Sequence, residues 1–122
     1  GEDTLSLHDA LPIWLDLKRG GLFPLVHGVR VLSLEAGILE TSTTGRIEAL
    51  VGQGRLSRDY GTNLAEAFRL FMRLRLRSQL QEGDGRVRVA DLGPAERDLL
   101  RHALHQVKKF QQWLTLHFRL RQ

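Results

Sequence analysis

The sequence predicts an all-α domain, a bundle of about four helices in which the two C-terminal helices are long. Three observations carry this expectation. The 122 residues are 42% hydrophobic and 26% charged, the size and balance of one globular domain with a single core. Apolar residues recur at i, i+3, i+4 and i+7 through two long stretches, the spacing that lines one face of a helix. No stretch carries a convincing strand pattern, and the connections between periodic segments are short or moderate.

Taken in order, Trp14 to Gly21 (WLDLKRGG) is short and ends in paired glycines, so it reads as an entering strand or loop. Gly20 and Gly21 permit backbone angles closed to other residues, which suits a tight turn before a helix. Pro24 fits a first helical turn, where its missing N–H costs nothing. Leu25, Val29, Leu32 and Ala36 then keep helical spacing until Gly37 stops the run. A second helix starts after Thr41-Ser42-Thr43-Thr44, whose hydroxyls cap free amides, and runs from Arg46 to Val51 before Gly52 and Gly54. The third extends from about Arg58 to Gln81. Its stripe is Leu64, Ala67, Phe68, Phe71, Leu74 and Ser78, widened by Leu70, Met72 and Leu76. Glu82 to Leu92 (EGDGRVRVADL) is the one clear loop. Asp91 or Gly93 caps the last helix and Pro94 opens it, with Leu100, Ala103, Leu104, Val107, Phe110, Leu114 and Phe118 facing the core.

Eighteen Lys and Arg against fourteen Asp and Glu give a net charge of +4, unevenly spread. Residues 1–13 hold three acids (Glu2, Asp3, Asp9) and no Lys or Arg. Within them Thr4–Ile13, TLSLHDALPI, resembles a translated sequencing adapter: ACT CTT TCC CTA CAC GAC GCT CTT CCG ATC encodes it without a mismatch. Residues 1–13 are therefore excluded from the fold reasoning, as a tag would be. Residues 14–122 then hold 18 basic and 11 acidic residues, or +7, and are expected to be the C-terminal piece of a larger protein. There is no cysteine, which excludes disulfides, thiolate ligation and thiol catalysis. No apolar run approaches the roughly 18 residues of a membrane span. With no secretory signal, the cytoplasm is the expected compartment.

Few constellations carry chemistry. Arg69, Arg73 and Arg77 lie four apart on the third helix, with Arg75 off the line. Arg101, His105 and Lys108/Lys109 form a similar stripe on the fourth. Such stripes read as a solvated face or as a surface for phosphates. The phenylalanines fall on core stripes and do not interleave with these charges, so a nucleic-acid platform is not favoured. His102 and His105 stand three apart, but no HExxH-type signature accompanies them and no metal site is expected. No GxSxG, Walker loop or paired-carboxylate motif is present, so the chain is read as having no catalytic residues of its own. DLKRGGL is the segment densest in reactive groups. It reads as a connector with a local salt bridge, or as an anion-meeting turn at a helix start.

LDLKRGGLFPLVHGVRVLSLEAGI, TTGRIEAL, LAEAFRLFMRLRLRSQL and LGPAERDLLRHALHQVKKFQQWL together resemble one known module from Leu15 to about Leu116. It is the nucleotidyltransferase substrate-binding domain family. Its members lie C-terminal to a catalytic domain similar to protein-PII uridylyltransferase, often in proteins with cystathionine-β-synthase (CBS) pairs. The family's entry motif falls on Asp16, Lys18, Gly20, Gly21 and Pro24, and its first-helix arginine on Arg30. Thr43 and Arg46 match the opening of its second helix. Arg75, Arg77 and Gln79 match its LRLRHQ signature, with Ser78 in place of the histidine; Arg97 and Gln111 match the last helix. The resemblance implies an accessory helical bundle that binds acceptor or packs on the catalytic domain through Asp16, Lys18, Gly20, Gly21, Arg30, Arg75, Arg77 and Gln79. Lys18, Arg30, Arg75 and Arg77 are expected to share one cleft. Nucleoside triphosphate and Mg²⁺ are expected on the upstream catalytic domain, the partners being that domain, the CBS domains and a protein acceptor. Neither a membrane nor a nucleic acid is an expected partner. The alternatives are a non-catalytic helical docking module and a basic nucleic-acid-binding bundle.

Overall fold

A computed structural model describes residues 11–81 and 83–120. Residues 1–10, most of the adapter-like segment including His8 and Asp9, lie outside them. The chain enters on a short strand, β1 (Trp14–Asp16), and a single wide helical turn at Lys18–Leu22. Four helices follow: α1 (Phe23–Glu35), α2 (Thr43–Gly52), α3 (Arg58–Leu80) and, after a second short strand β2 (Arg86–Arg88) and the tight turn Val89–Asp91, α4 (Pro94–Leu120). The expected all-α bundle with two long C-terminal helices is thus the fold.

The helix boundaries follow from their caps. The Ser42 hydroxyl accepts from the Gly45 amide at 3.0 Å, and the Ser57 hydroxyl from the Tyr60 amide at 3.1 Å, each satisfying a donor that has no partner inside its helix. Gly37, at φ +70°, ends α1 in the left-handed conformation that L side chains avoid. Two residues matched to the family serve the backbone. Arg46 Nε donates to the Glu40 carbonyl at 2.9 Å, and Arg97 to the Leu92 carbonyl at 2.8 Å.

α3 and α4 pack against each other, α1 packs on α2, α3 and α4, and α2 packs on α1 and α3. Phe71, Leu74, Leu64, Leu100, Val107 and Phe110 are fully buried, joined by Leu25 and Val29 of α1 and by Ile47 and Leu50 of α2. Met72 and Leu76 do not widen this core as expected: they are 43% and 56% exposed. Met72 falls one residue beyond buried Phe71 and Leu76 two beyond buried Leu74, and about 100° of helical turn per residue carries each side chain out of the interface. Beyond Phe110, α4 continues as an aromatic ladder. Trp113 stacks on Phe110 at 6.4 Å and on His117 at 5.0 Å, and His117 Nε2 lies 2.8 Å from Glu35 Oε1 at the end of α1.

Two further expectations are corrected. Arg86–Arg88, placed in a loop, is a strand that pairs antiparallel with β1 in the register Trp14↔Arg88, Leu15↔Val87, Asp16↔Arg86. Leu15 is buried and Val87 half-buried on the inner face; three residues are too few for a period of two to stand out in the sequence. Gly20 and Gly21 are not a turn of special angles either, because the wide helical turn runs straight into α1. What Gly21 supplies is space: a Cβ there would stand 2.8 Å from the Phe71 ring. Gly28 does the same for α4, where a Cβ would meet Leu114 at 2.5 Å and Phe110 at 2.7 Å.

Candidate functional site

Asp16 shapes the site. At the end of β1, its Oδ1 accepts from the amides of Lys18 at 3.0 Å and Arg19 at 3.1 Å. These are donors that the opening turn of a helix leaves unpaired. The carboxylate therefore caps the wide turn and fixes the direction in which Lys18 leaves it. Gly21, seated on the Phe71 ring, holds the other end of that turn against α3. Facing it on α3 are Arg75, half-buried, and Gln79, exposed, one helical turn apart. Gly83–Gly85, running toward β2, closes the third side. The Ser78 hydroxyl anchors that connection by donating to the Arg86 carbonyl at 3.1 Å. In place of the family's usual histidine, Ser78 is thus a buried strut.

Between these walls lies a groove of about 550 Å³ lined by Asp16, Lys18, Arg75 and Gln79, together with Arg19, Phe23 and Gly83–Gly85. Its two carboxylates are occupied. Asp16 serves the turn amides, with Arg19 Nε 3.9 Å away. Asp84 is bound by its neighbour Arg86, at 2.9 Å to Nε and 3.2 Å to the amide, and the Arg86 amide in particular holds its carboxyl below the ordinary aspartate range. Among the described residues neither Lys18 nor Arg75 has a carboxylate within ion-pair distance. Lys18 Nζ sits 4.9 Å from the centre of the Phe23 ring, a contact that steadies an ammonium without neutralising it. Two cations without a carboxylate partner among the described residues, and a primary amide, around one concavity suit a phosphate or carboxylate group.

The structure therefore brings together four of the eight expected site residues: Asp16, Lys18, Arg75 and Gln79. Gly20 and Gly21 build the turn, Gly20 against Leu15 and Gly21 against Phe71. Arg30 is exposed on α1, outside the groove. Arg77 lies elsewhere too: it clasps Glu96 of α4 through both guanidinium nitrogens, at 2.8 and 2.7 Å. The single cleft expected for Lys18, Arg30, Arg75 and Arg77 is thus not formed. Residues two apart on a helix point about 200° away from each other, so Arg75 and Arg77 cannot line one wall. Arg19 belongs to the anion-meeting turn that the sequence suggests, whereas Phe23 and Asp84 carry no signal of a role there. Phe23 stands at a variable position inside the entry motif, and Gly83–Gly85 carries turn chemistry that marks a wall once its ends are known to meet β1.

The Arg77–Glu96 pair makes a prediction of its own. Hydrogen bonds from Arg77 hold the Glu96 carboxyl below the ordinary glutamate range. Because the folded value is depressed, the pair's contribution is present above that ordinary range and is lost as pH falls through the lowered folded value. Glu96→Gln is expected to lower the stability of the native protein by about 1 kcal/mol at neutral pH, since the pair is only partly shielded from solvent. Unfolding midpoints in urea should converge for the two proteins in the acid range.

Among the described residues, no group of three or more Asp, Glu or His could hold a metal ion, and no helix is long and apolar enough to cross a membrane. The family model described as "Putative nucleotidyltransferase substrate binding domain" matches residues 13–118. No curated protein and no solved structure matches the chain.

Proposed function

The chain belongs to the putative nucleotidyltransferase substrate binding domain family, and from that premise we propose that it holds an acceptor while an adjoining domain performs the transfer. The observation that carries this reading is the groove lined by Lys18 and Arg75, neither of which has a carboxylate within ion-pair distance among the described residues. An acceptor bearing a phosphate or carboxylate would place that anion between the ammonium and the guanidinium, with Gln79 donating a further hydrogen bond. Two fixed contacts on one anion orient the rest of the molecule, and orientation is what an accessory domain contributes to rate. Nucleoside triphosphate and Mg²⁺ belong to a catalytic domain outside this chain, where metal-bound carboxylates would activate the transfer.

The context that the resemblance favours is a cytoplasmic signalling protein with a protein-PII uridylyltransferase-like catalytic domain, CBS domains and a protein acceptor. A second reading, a docking module without a bound acceptor, draws on a different feature. Met72, Leu76 and Leu80 are 43%, 56% and 77% exposed and stand four apart on α3, beside Arg75 and Gln79. Such a row suits the face of a neighbouring domain. The two readings are compatible if the row seats the catalytic domain and the groove opens toward its active site.

The accessory assignment is tested by incubating this chain alone with nucleoside triphosphates, Mg²⁺ and candidate acceptor proteins. No labelled product is expected, because the sequence carries no paired-carboxylate motif of the kind that performs metal-assisted nucleotidyl transfer. Measurable turnover by the chain alone would refute the assignment.

A further inference from the structure

The arginine stripe of α3 is only partly used by the fold and by the acceptor groove. Arg77 is taken by Glu96, whereas Arg69 and Arg73 line a second groove, of about 520 Å³, between α3 and α4. We propose that this groove binds a small nucleotide, with its phosphates between Arg69, Arg73 and His102 and its base at the opposite end. This second site is separate from the acceptor groove.

The argument rests on how the lining is ordered. On α3, Asn63, Glu66, Ala67, Leu70 and Arg73 follow i, i+3, i+4, i+7 and i+10, so they share one face. On α4, Leu99, His102, Ala103 and Gln106 repeat the pattern. Arg77 of α3 pairs with Glu96 of α4, and the helices run antiparallel from that contact. Arg73 therefore lies across from Leu99 and His102, and Asn63 lies toward Gln106. One end is cationic, with Arg73 and His102, and Arg69 stands one turn further in, level with the apolar floor. The other carries two amides and a carboxylate, Asn63, Gln106 and Glu66. Between them the floor is Ala67, Leu70 and Ala103, where two alanines keep the helices from filling the gap with side chains. From Asn63 to Arg73 the groove follows α3 for about 15 Å, at 1.5 Å per residue.

That order matches the polarity of a nucleotide. Its anionic end meets arginines, its flat ring lies on apolar methyl groups, and its edge of donors and acceptors meets amides and a carboxylate. Arg73 lines the groove with an exposed side chain, and no hydrogen bond or ion pair holds it among the described residues. Inorganic phosphate alone would use only one end, and a purely apolar ligand would leave both ends unpaired.

The test is titration of the whole chain with ADP, ribose 5-phosphate and inorganic phosphate, followed by calorimetry and by amide chemical shifts. ADP is expected to bind saturably and to shift the α3 and α4 amides that line the groove. Arg69→Gln and Arg73→Gln should each weaken ADP binding at least tenfold, the loss expected for a charge-assisted contact. Both side chains are exposed, and circular dichroism should confirm unchanged folding. Asn63→Ala with Gln106→Ala should bring the ADP affinity down to that of ribose 5-phosphate. Lys18→Gln with Arg75→Gln should leave ADP binding unaltered, so failure here is distinct from failure of the acceptor groove. The proposal is overturned if ADP shows no saturable binding at millimolar concentration, or binds no tighter than inorganic phosphate. It is equally overturned if binding survives loss of Arg73 but not of Lys18 and Arg75.

Discussion

Replacing Phe71 by alanine is expected to lower the thermal unfolding midpoint of this chain by roughly 15 °C, from a loss of about 4 kcal/mol. The ring is fully buried in the middle of α3, so its removal deletes a large apolar contact and leaves a void that rigid helices close poorly. The effect should exceed a simple core truncation, because Phe71 is also the surface on which Gly21 rests. Without the ring the wide turn at Lys18–Leu22 loses its seat, and the direction of Lys18 is no longer fixed. Gly21→Val approaches the same contact from the other side. Its Cβ would have to push a buried aromatic ring that has no room to yield, so overpacking of about 1–3 kcal/mol is expected. Calorimetry of the three proteins checks both claims. Phe71→Ala and Gly21→Val should fall well below the parent, with Phe71→Ala the lower.

On the proposed function, Lys18→Gln with Arg75→Gln should lower kcat/KM for the acceptor by on the order of 100-fold when the chain works beside its proposed catalytic domain, while the unfolding midpoint moves by no more than a degree or two. Each cation is worth about 1.5–3 kcal/mol when it hydrogen-bonds a charged group in a partly shielded site; losing both removes binding and orientation together. Stability is spared because, among the described residues, no carboxylate pairs with either group. The Arg77→Gln control should show the reverse. It breaks the bidentate contact with Glu96, lowering stability while leaving the acceptor kinetics close to normal. Steady-state rates at fixed nucleoside triphosphate, beside melting curves, separate the two behaviours.

How much of this could be read from the chain alone depended on the range of the interaction. The helices were legible because capping and periodicity are local: Thr41 to Thr44 announce α2, Pro94 announces α4, and Leu64 to Ser78 repeat every three or four residues. The short sheet was not, because Trp14–Asp16 and Arg86–Arg88 find each other across about seventy residues and carry only three residues each. The groove was half legible for the same reason. The entry motif pointed to Asp16 and Lys18, and the α3 signature to Arg75 and Gln79, yet only the fold shows that these meet. Arg77 was misplaced because its partner, Glu96, lies on another helix, and a motif does not reveal which of its cations the fold has already neutralised. Gly21 was read as backbone freedom, where in three dimensions it makes room for Phe71.

The most direct test of the central claim compares KM for the acceptor with KM for the nucleoside triphosphate when the chain is joined to the proposed catalytic domain, for the parent and for Lys18→Gln with Arg75→Gln. If this groove holds the acceptor, the acceptor KM should rise at least tenfold while the nucleotide KM stays within about twofold. If both constants stayed at their parental values, or if the nucleotide KM alone rose, Lys18 and Arg75 would not be holding the acceptor.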